Sequence, residues 1–184
     1  ISLAIAVEKL FDPDSPETTK AMFDAGIDQF DPDDWHEYYR AAGEKAGSPF
    51  EPGPGRTIFM DTYAMQACHH MNKHGSTQRQ FAVAAAKNHC NGAKNEKAQY
   101  RFEMTADEVM QDRPVSYPLT RSMCAPIGDG AAAAIVCSAD ALAEMPSDVQ
   151  SRAVRVAATA LSGGKYRDLD EPGLSKVAAD TAYA

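Results

Sequence analysis

The sequence predicts an α/β protein built in layers, and three observations carry that prediction. Residues 131–137 form an unbroken apolar run that follows an Asp129-Gly130 pair and includes the β-branched Ile135 and Val136. A short apolar run after a tight turn reads as a strand buried on both faces, an arrangement of layered α/β proteins. The opening stretch ISLAIAV, residues 1–7, reads as a second strand ending in charge. Between the two lie helix patterns with recognisable start and stop signals.

In chain order, residues 11–55 are rich in Pro, Gly, Asp and Glu, with one helix expected over 32–45. Asp31 is placed to cap it, and Pro32 falls in the first turn, where a missing N–H does no harm. Trp35, Tyr38 and Tyr39 recur at spacings of three and four and so share a face. EPGPG at 51–55 is a break. Residues 57–73 read as a helix with Ile58, Met65, Cys68 and Met71 inward, stopped by Gly75 in a left-handed cap. Thr77-x-x-Gln80 is a capping box that opens a helix running to about Asn91. Thr105-x-x-Glu108 is a second one, for a short helix through Met110. Pro114 and Pro118 keep the following backbone extended. After the apolar strand, Ser138 caps a helix over 139–144. Residues 154–161 read as a further strand, closed by Ser162-Gly163-Gly164.

Composition narrows the classes. The 184 residues, 44% of them apolar, suffice for one domain with a core. Eighteen consecutive apolar residues occur nowhere, which predicts no membrane span. The start lacks the basic-plus-apolar pattern of a secretory signal. The chain opens at Ile1 inside a strand-like run and stops at Ala184 without a closing element. It is therefore expected to be an internal segment of a longer protein. Net charge −8 argues against a nucleic-acid partner. Residues 1–52 carry twelve acids against four bases, whereas residues 53–104 carry three against seven. An anionic ligand is favoured only in that basic middle, although most of its lysines read as a solvated helix face.

Cys68, Cys90, Cys124 and Cys137 show no compact disulfide spacing and read as reduced thiols of a cytosolic-type protein. Cys68 adjoins His69 and His70, but neighbouring helix positions point apart. Cys90 follows His89 near a helix end, where the dipole raises a thiol pKa. Cys124, before a Gly-rich turn, is the most interesting of the four, but inert thiols are the favoured reading for all. His70 and His74 are spaced to chelate a metal. With no HExxH glutamate, no CxxC, and Gly75 ending the helix, no metal site is expected.

Several segments resemble the thiolase superfamily, and more closely its sterol-carrier-protein-type and lipid-transfer-protein branch. They are Pro118-Leu119 with DGAAAA at 129–134, AVEK at 6–9, and FEMTADEVM at 102–110. The fourth is His70-Met71 through Lys73, Gly75 and Phe81-Ala82 to Lys87-Asn88-His89. The resemblance covers about residues 1–165 and is weakest over 11–57. It implies part of a thiolase-like layered αβαβα fold. Residues 1–10 would be a core strand of the N-terminal half, and 11–117 a mainly helical loop domain over the active site. Residues 118–150 would be the last strand and helix of that half, and 151–184 the start of the C-terminal half. Long insertions inside compact domains are usually functional.

The same resemblance implies an acyltransferase that makes or breaks a carbon–carbon bond next to a coenzyme A thioester, in lipid or sterol metabolism. Acyl-CoA would be a substrate, with no permanently bound cofactor. In this family the nucleophilic cysteine precedes the strand that residues 1–7 resemble. The activating His and the Gly-His-Pro-type loop follow the end of this chain, so no catalytic residue is expected here. Cys124, Ala125 and Pro126 match the segment lining the pantetheine channel, and His70 and Met71 match a helix packing towards the active site. Cys-Ala-Pro departs from the Ala-Ser-Gly of biosynthetic members, removing a hydroxyl. Arg79, Lys87 and Lys94 are the basic candidates for the adenosine phosphates. A homodimer or tetramer is implied, in the cytoplasm, or in peroxisomes in a eukaryote. Relatives also run retro-aldol cleavage of sterol side-chain CoA esters with a small partner protein. A non-catalytic interaction protein, binding through the acidic stretch and the aromatic face of Trp35, Tyr38 and Tyr39, is the alternative of another class. A core strand parted from its sheet exposes apolar faces and unpaired edges, so the 184 residues alone are expected to aggregate or stay molten.

Overall fold

The computed structural model describes residues 1–25, 31–51, 57–164 and 167–184. In chain order the elements are β1 (Ser2–Glu8), α1 (Pro16–Asp24), α2 (Pro32–Ala46), α3 (Ile58–His74), α4 (Gln78–Ala93) and α5 (Ala106–Gln111). They continue with β2 (Pro114–Ser116), β3 (Leu119–Thr120), a 3-10 turn (Arg121–Met123), β4 (Gly130–Val136), α6 (Ala139–Ala143), α7 (Ser147–Arg152) and α8 (Leu174–Tyr183). The chain divides into two compact units, Leu10–Gly128 and a second made of Ile1–Lys9 with Asp129–Ala184.

Within Leu10–Gly128 the helix ends follow the local chemistry. The Asp31 carboxylate accepts the Asp33 N–H at 2.9 Å and opens α2. Thr57 Oγ1 accepts the Met60 N–H at 3.3 Å and opens α3. Gly75, at φ +70°, ends α3 and donates its N–H to Met71 O at 2.8 Å. At the head of α4, Gln80 Oε1 accepts the Thr77 N–H at 2.8 Å. The box of α5 is reciprocal: Glu108 Oε2 accepts the Thr105 N–H at 2.7 Å, and Thr105 Oγ1 accepts the Glu108 N–H at 3.2 Å. These bonds satisfy N–H groups that a helix start leaves without partners. The break at 51–55 falls mostly outside the described residues. Helix α1 was not expected, although Ser15-Pro16-Glu17 carries the start signal of a helix.

The core of this unit is small and alanine-rich. Ala82, Ala86 and Val109 are buried together, with Ala85, Met104, Ala106, Met110 and Met123 packed against them. Met65, Cys68 and Ala64 are buried along α3, and Ile58 and Met71 are half-buried. The expected inward face of α3 is therefore present. Asp61 is buried on the same helix, which its charge did not suggest. Trp35 and Tyr39 turn their rings onto Phe50, at centroid distances of 6.5 and 5.5 Å, and Tyr38 lies 5.1 Å from Tyr39. The aromatic face of α2 is thus occupied by packing within its own segment. Strands β2 and β3 form a small antiparallel hairpin joined through a cis Tyr117-Pro118 bond. Cys68 Sγ donates to Tyr117 O at 3.5 Å and Gln78 Nε2 donates to Pro118 O at 2.9 Å, tying the hairpin to α3 and α4.

In the other unit, β1 and β4 pair antiparallel from Ser2↔Val136 to Glu8↔Gly130. A Lys9–Asp129 ion pair of 2.8 Å stands just beyond that end of the ladder. Three expectations fail here. Residues 131–136 are exposed on both faces rather than buried, because among the described residues this sheet has two strands and no layer covers it. Residues 154–161 form no strand, and Leu161 is fully exposed, since a strand exists only where a neighbour accepts its hydrogen bonds. The C-terminal residues, read as lacking an element, form α8. Ser138 Oγ caps α6 as expected, accepting the Ala141 N–H at 3.2 Å.

Two measurements check this picture. A Cβ on Gly43 would lie 2.7 Å from Ser48 O and 2.9 Å from Phe50 N, both backbone atoms. Gly43→Ala is expected to lower stability by about 1–3 kcal/mol, read in urea through the fluorescence of Trp35, the one tryptophan. Ile5 is 69% exposed on β1. The 184 residues alone are expected to bind an apolar dye and to aggregate as concentration rises. Ile5→Lys should reduce both without lowering stability; a soluble chain with no dye binding would refute the exposed ribbon.

Candidate functional site

The segment from Thr120 to Gly128 holds the residues that the sequence singled out, and it is tied down from several elements. Thr120 Oγ1 donates to Val109 O at 2.6 Å in a buried bond, satisfying a carbonyl that the end of α5 leaves free. The turn Arg121–Met123 sends Met123 into the alanine core. The Cys124 N–H closes that turn on Arg121 O at 3.0 Å, and Cys124 Sγ donates to Thr120 O at 3.4 Å. Further along, Gln99 Nε2 donates to Ile127 O at 3.1 Å.

Ser122 is gripped from two sides. His89 Nε2 stands 3.0 Å from Ser122 O, and because a carbonyl only accepts, that nitrogen carries the proton. The His89 ring is 8% exposed and stacks on Phe102 at 5.1 Å and Tyr100 at 6.1 Å. From the other side the Ser122 hydroxyl donates a short bond to Asp112 Oδ2, which Arg121 Nε also reaches at 3.4 Å. The Ser122 bond, followed by the Arg113 N–H and the nearby Arg121, holds the Asp112 carboxyl below the usual carboxylate range.

Cys124 and Pro126 are half-buried and Ala125 is exposed. Burial pushes the Cys124 thiol upward, so it is protonated at neutral pH and is a poor nucleophile. His70 is exposed at the end of α3, its Nδ1 3.0 Å from Ser76 Oγ, and Met71 is half-buried. Among the described residues, no hydrogen bond or ring contact joins His70 or Met71 to Cys124, Ala125 or Pro126. Of the basic candidates, Arg79 pairs with Asp107 at 2.5 Å, and Lys87 and Lys94 are exposed.

The histidines and cysteines that neighbour one another in sequence part company in space. His70 and His74 face each other at 4.6 Å between ring centroids. Cys68, His89 and Cys90 instead turn to the carbonyls of Tyr117, Ser122 and Met104. Ser122 and Asp112 escaped the site reading of the sequence, and His89 entered it only as a neighbour of Cys90. One signal for His89 was present: it continues the Ala82, Ala86 face at helical spacing, which marks an inward residue. Ser122 and Asp112 carry no such signal, because their pairing depends on how the chain returns over α4.

No protein-family model matches the chain. It is 36% identical over 157 residues to an acetyl-CoA acetyltransferase of Methanothermobacter thermautotrophicus, covering 78% of this chain and 40% of that protein. It is 30% identical over 130 residues to the benzoylsuccinyl-CoA thiolase subunit BbsB of Thauera aromatica, covering 68% and 33%. With sterol carrier protein 2 of Rattus norvegicus it shares 34% over 113 residues, covering 55% and 20%. The chain is a homologue of the thiolase superfamily, with relatives in the sterol-carrier and lipid-transfer-like branch. It spans 40% or less of the length of these three relatives. Among the described residues, no helix is long and apolar enough to cross a membrane.

Two outcomes follow from the site. Cys124 is expected to react with iodoacetamide at pH 7 more slowly than free cysteine, and to speed up only as the pH climbs past the usual thiol range. A carboxyl held low stabilises the fold above its unfolded pKa and loses that contribution as pH falls through the folded value. Urea midpoints of the wild type should therefore drop below about pH 4 more steeply than those of Asp112→Asn, which lacks the charge.

Proposed function

We propose that this chain is part of a thiolase-type acyltransferase, which makes or breaks a carbon–carbon bond next to a coenzyme A thioester. The observation that carries the reading is 36% identity with an acetyl-CoA acetyltransferase over 157 residues. The ordered motifs from Ala6 to Ala134 support it from the sequence. In this reading the chain adopts part of the layered αβαβα fold, with residues 11–117 as the loop domain. The uncovered β1–β4 ribbon, with apolar Leu3, Ile5, Val7 and Ile135 exposed, suits a core sheet whose remaining layers come from other polypeptide. Cys124, Ala125 and Pro126 line the pantetheine path. His70 and Met71 belong to a loop-domain helix facing the active site. The nucleophilic cysteine and the activating histidine are supplied outside these residues. Acyl-CoA is the substrate, no cofactor is permanently bound, and self-association as a dimer or tetramer follows the family pattern. A cytoplasmic place, or a peroxisomal one in a eukaryote, accompanies this reading.

A second reading has a specific observation behind it, the similarity to sterol carrier protein 2. Here the parent is a retro-aldolase acting on sterol side-chain CoA esters with a small partner, or a non-catalytic lipid-handling relative. The interaction-protein variant is weakened, because Trp35 and Tyr39 are packed against Phe50. One assay separates the two. The complete gene product is incubated with a 3-ketoacyl-CoA and free coenzyme A, then denatured and searched for an acylated cysteine by mass spectrometry. Thiolysis with an acyl-enzyme is expected. Acyl-CoA binding without an acyl-enzyme would favour the second reading.

A further inference from the structure

We infer that His89 and Asp112 are positioning residues that grip Ser122 from two sides and thereby set the backbone of residues 124–126. The part of this inference that concerns coenzyme A rests on the proposed function; the part that concerns geometry does not. Beyond Thr120 the Arg121 N–H makes one last backbone bond, to Arg113 O at 2.9 Å, and the chain then leaves the β2–β3 hairpin. A short 3-10 turn follows, and such turns have poor hydrogen-bond geometry and little stability of their own. Its shape must therefore be imposed from outside.

Two side chains on different elements do so at one residue. His89, from α4, takes the Ser122 carbonyl at 3.0 Å, and Asp112, just past α5, takes the Ser122 hydroxyl. His89 is itself immobilised, 8% exposed and stacked on Phe102 and Tyr100. A donor packed in this way holds its acceptor in one place. Cys124 lies two residues on, and both of its own bonds return to this turn, to Arg121 O and Thr120 O. Movement of Ser122 is therefore passed directly to the Cys124 thiol and to the start of the Ala125-Pro126 stretch. The positions of these side chains along the chain, 89, 112 and 122, give the grip no local character. It forms only when α4 and α5 are docked, so the segment acquires its shape with the core.

The test measures iodoacetamide alkylation of each cysteine by mass spectrometry in the complete gene product. His89→Met keeps an apolar side chain in place but removes the donor. It is expected to raise the Cys124 rate about tenfold, the scale of one lost buried hydrogen bond, while Cys137 is unchanged. His89→Gln, which retains an N–H donor, should return the rate to within about twofold of wild type. Ser122→Ala cuts the Asp112 side only and should give a rise of about threefold. A Cys124 rate unmoved by His89→Met, or no recovery with His89→Gln, would overturn the positioning role. If Cys68, Cys90 and Cys124 all rise together in His89→Met, the core has opened, and Ser122→Ala decides instead. An unchanged Cys124 in that variant would then overturn the inference. Acetyl-CoA added to the wild type tests the coenzyme part separately. Protection of Cys124 supports it; no protection removes it, while the variant rates still judge the grip.

Discussion

Val109 sits fully buried against the alanines of α4, and its carbonyl receives the Thr120 hydroxyl at 2.6 Å. Much of the Leu10–Gly128 unit is arranged around that point. Small residues at 82 and 86 let α5 approach α4 closely, and close approach is what brings the end of α5 over Thr120. A buried carbonyl without a partner would cost about 1–3 kcal/mol, so the hydroxyl matters as much as the apolar contact. Once Thr120 is held, the chain leaves the hairpin in one direction, and the turn that follows delivers Met123 to the core and Ser122 to His89.

The segment 120–128 has only a 3-10 turn of its own. Beyond that, its shape depends on bonds from Val109 and Asp112 at the end of α5, His89 on α4 and Gln99, three separate stretches of chain. Cys124 belongs to this stretch: its thiol is half-buried, pushed upward by burial, and donates to Thr120 O. The basic side chains on α4 do not share this order. Arg79 is engaged with Asp107, whereas Lys87 and Lys94 are exposed.

The unit containing β1 and β4 has a different character. Leu3, Ile5, Val7 and Ile135 are more than half exposed on a two-stranded ribbon. Two strands in water are marginal by themselves, because each buries little and both outer edges keep unpaired backbone groups. The apolar spelling of these strands is the spelling of a buried sheet, and the described residues do not bury it. The same mismatch appears at Val154 and Val156, which are apolar, exposed and in no strand.

Local chemistry was legible and long-range consequence was not. Asp31, Thr57, Gly75 and Ser138 ended or began helices where their side chains or φ preferences said they would, since a cap involves only residues within one turn. The two strands of residues 1–7 and 130–136 were legible from their apolar runs. Burial was misjudged at 131–136, because a pattern states what a strand is suited to and not what lies above it. The 154–161 strand failed for a related reason, as a ladder needs a second backbone. His89, Asp112 and Ser122 stand 33 and 10 residues apart in bonded pairs. By itself, then, the sequence determined where the capped helices α2 to α6 start, the strand candidates and the kinship with thiolases. Only the tertiary structure decided which polar groups meet, because a hydrogen bond requires two atoms within about 3 Å and nothing local sets the distance between distant residues.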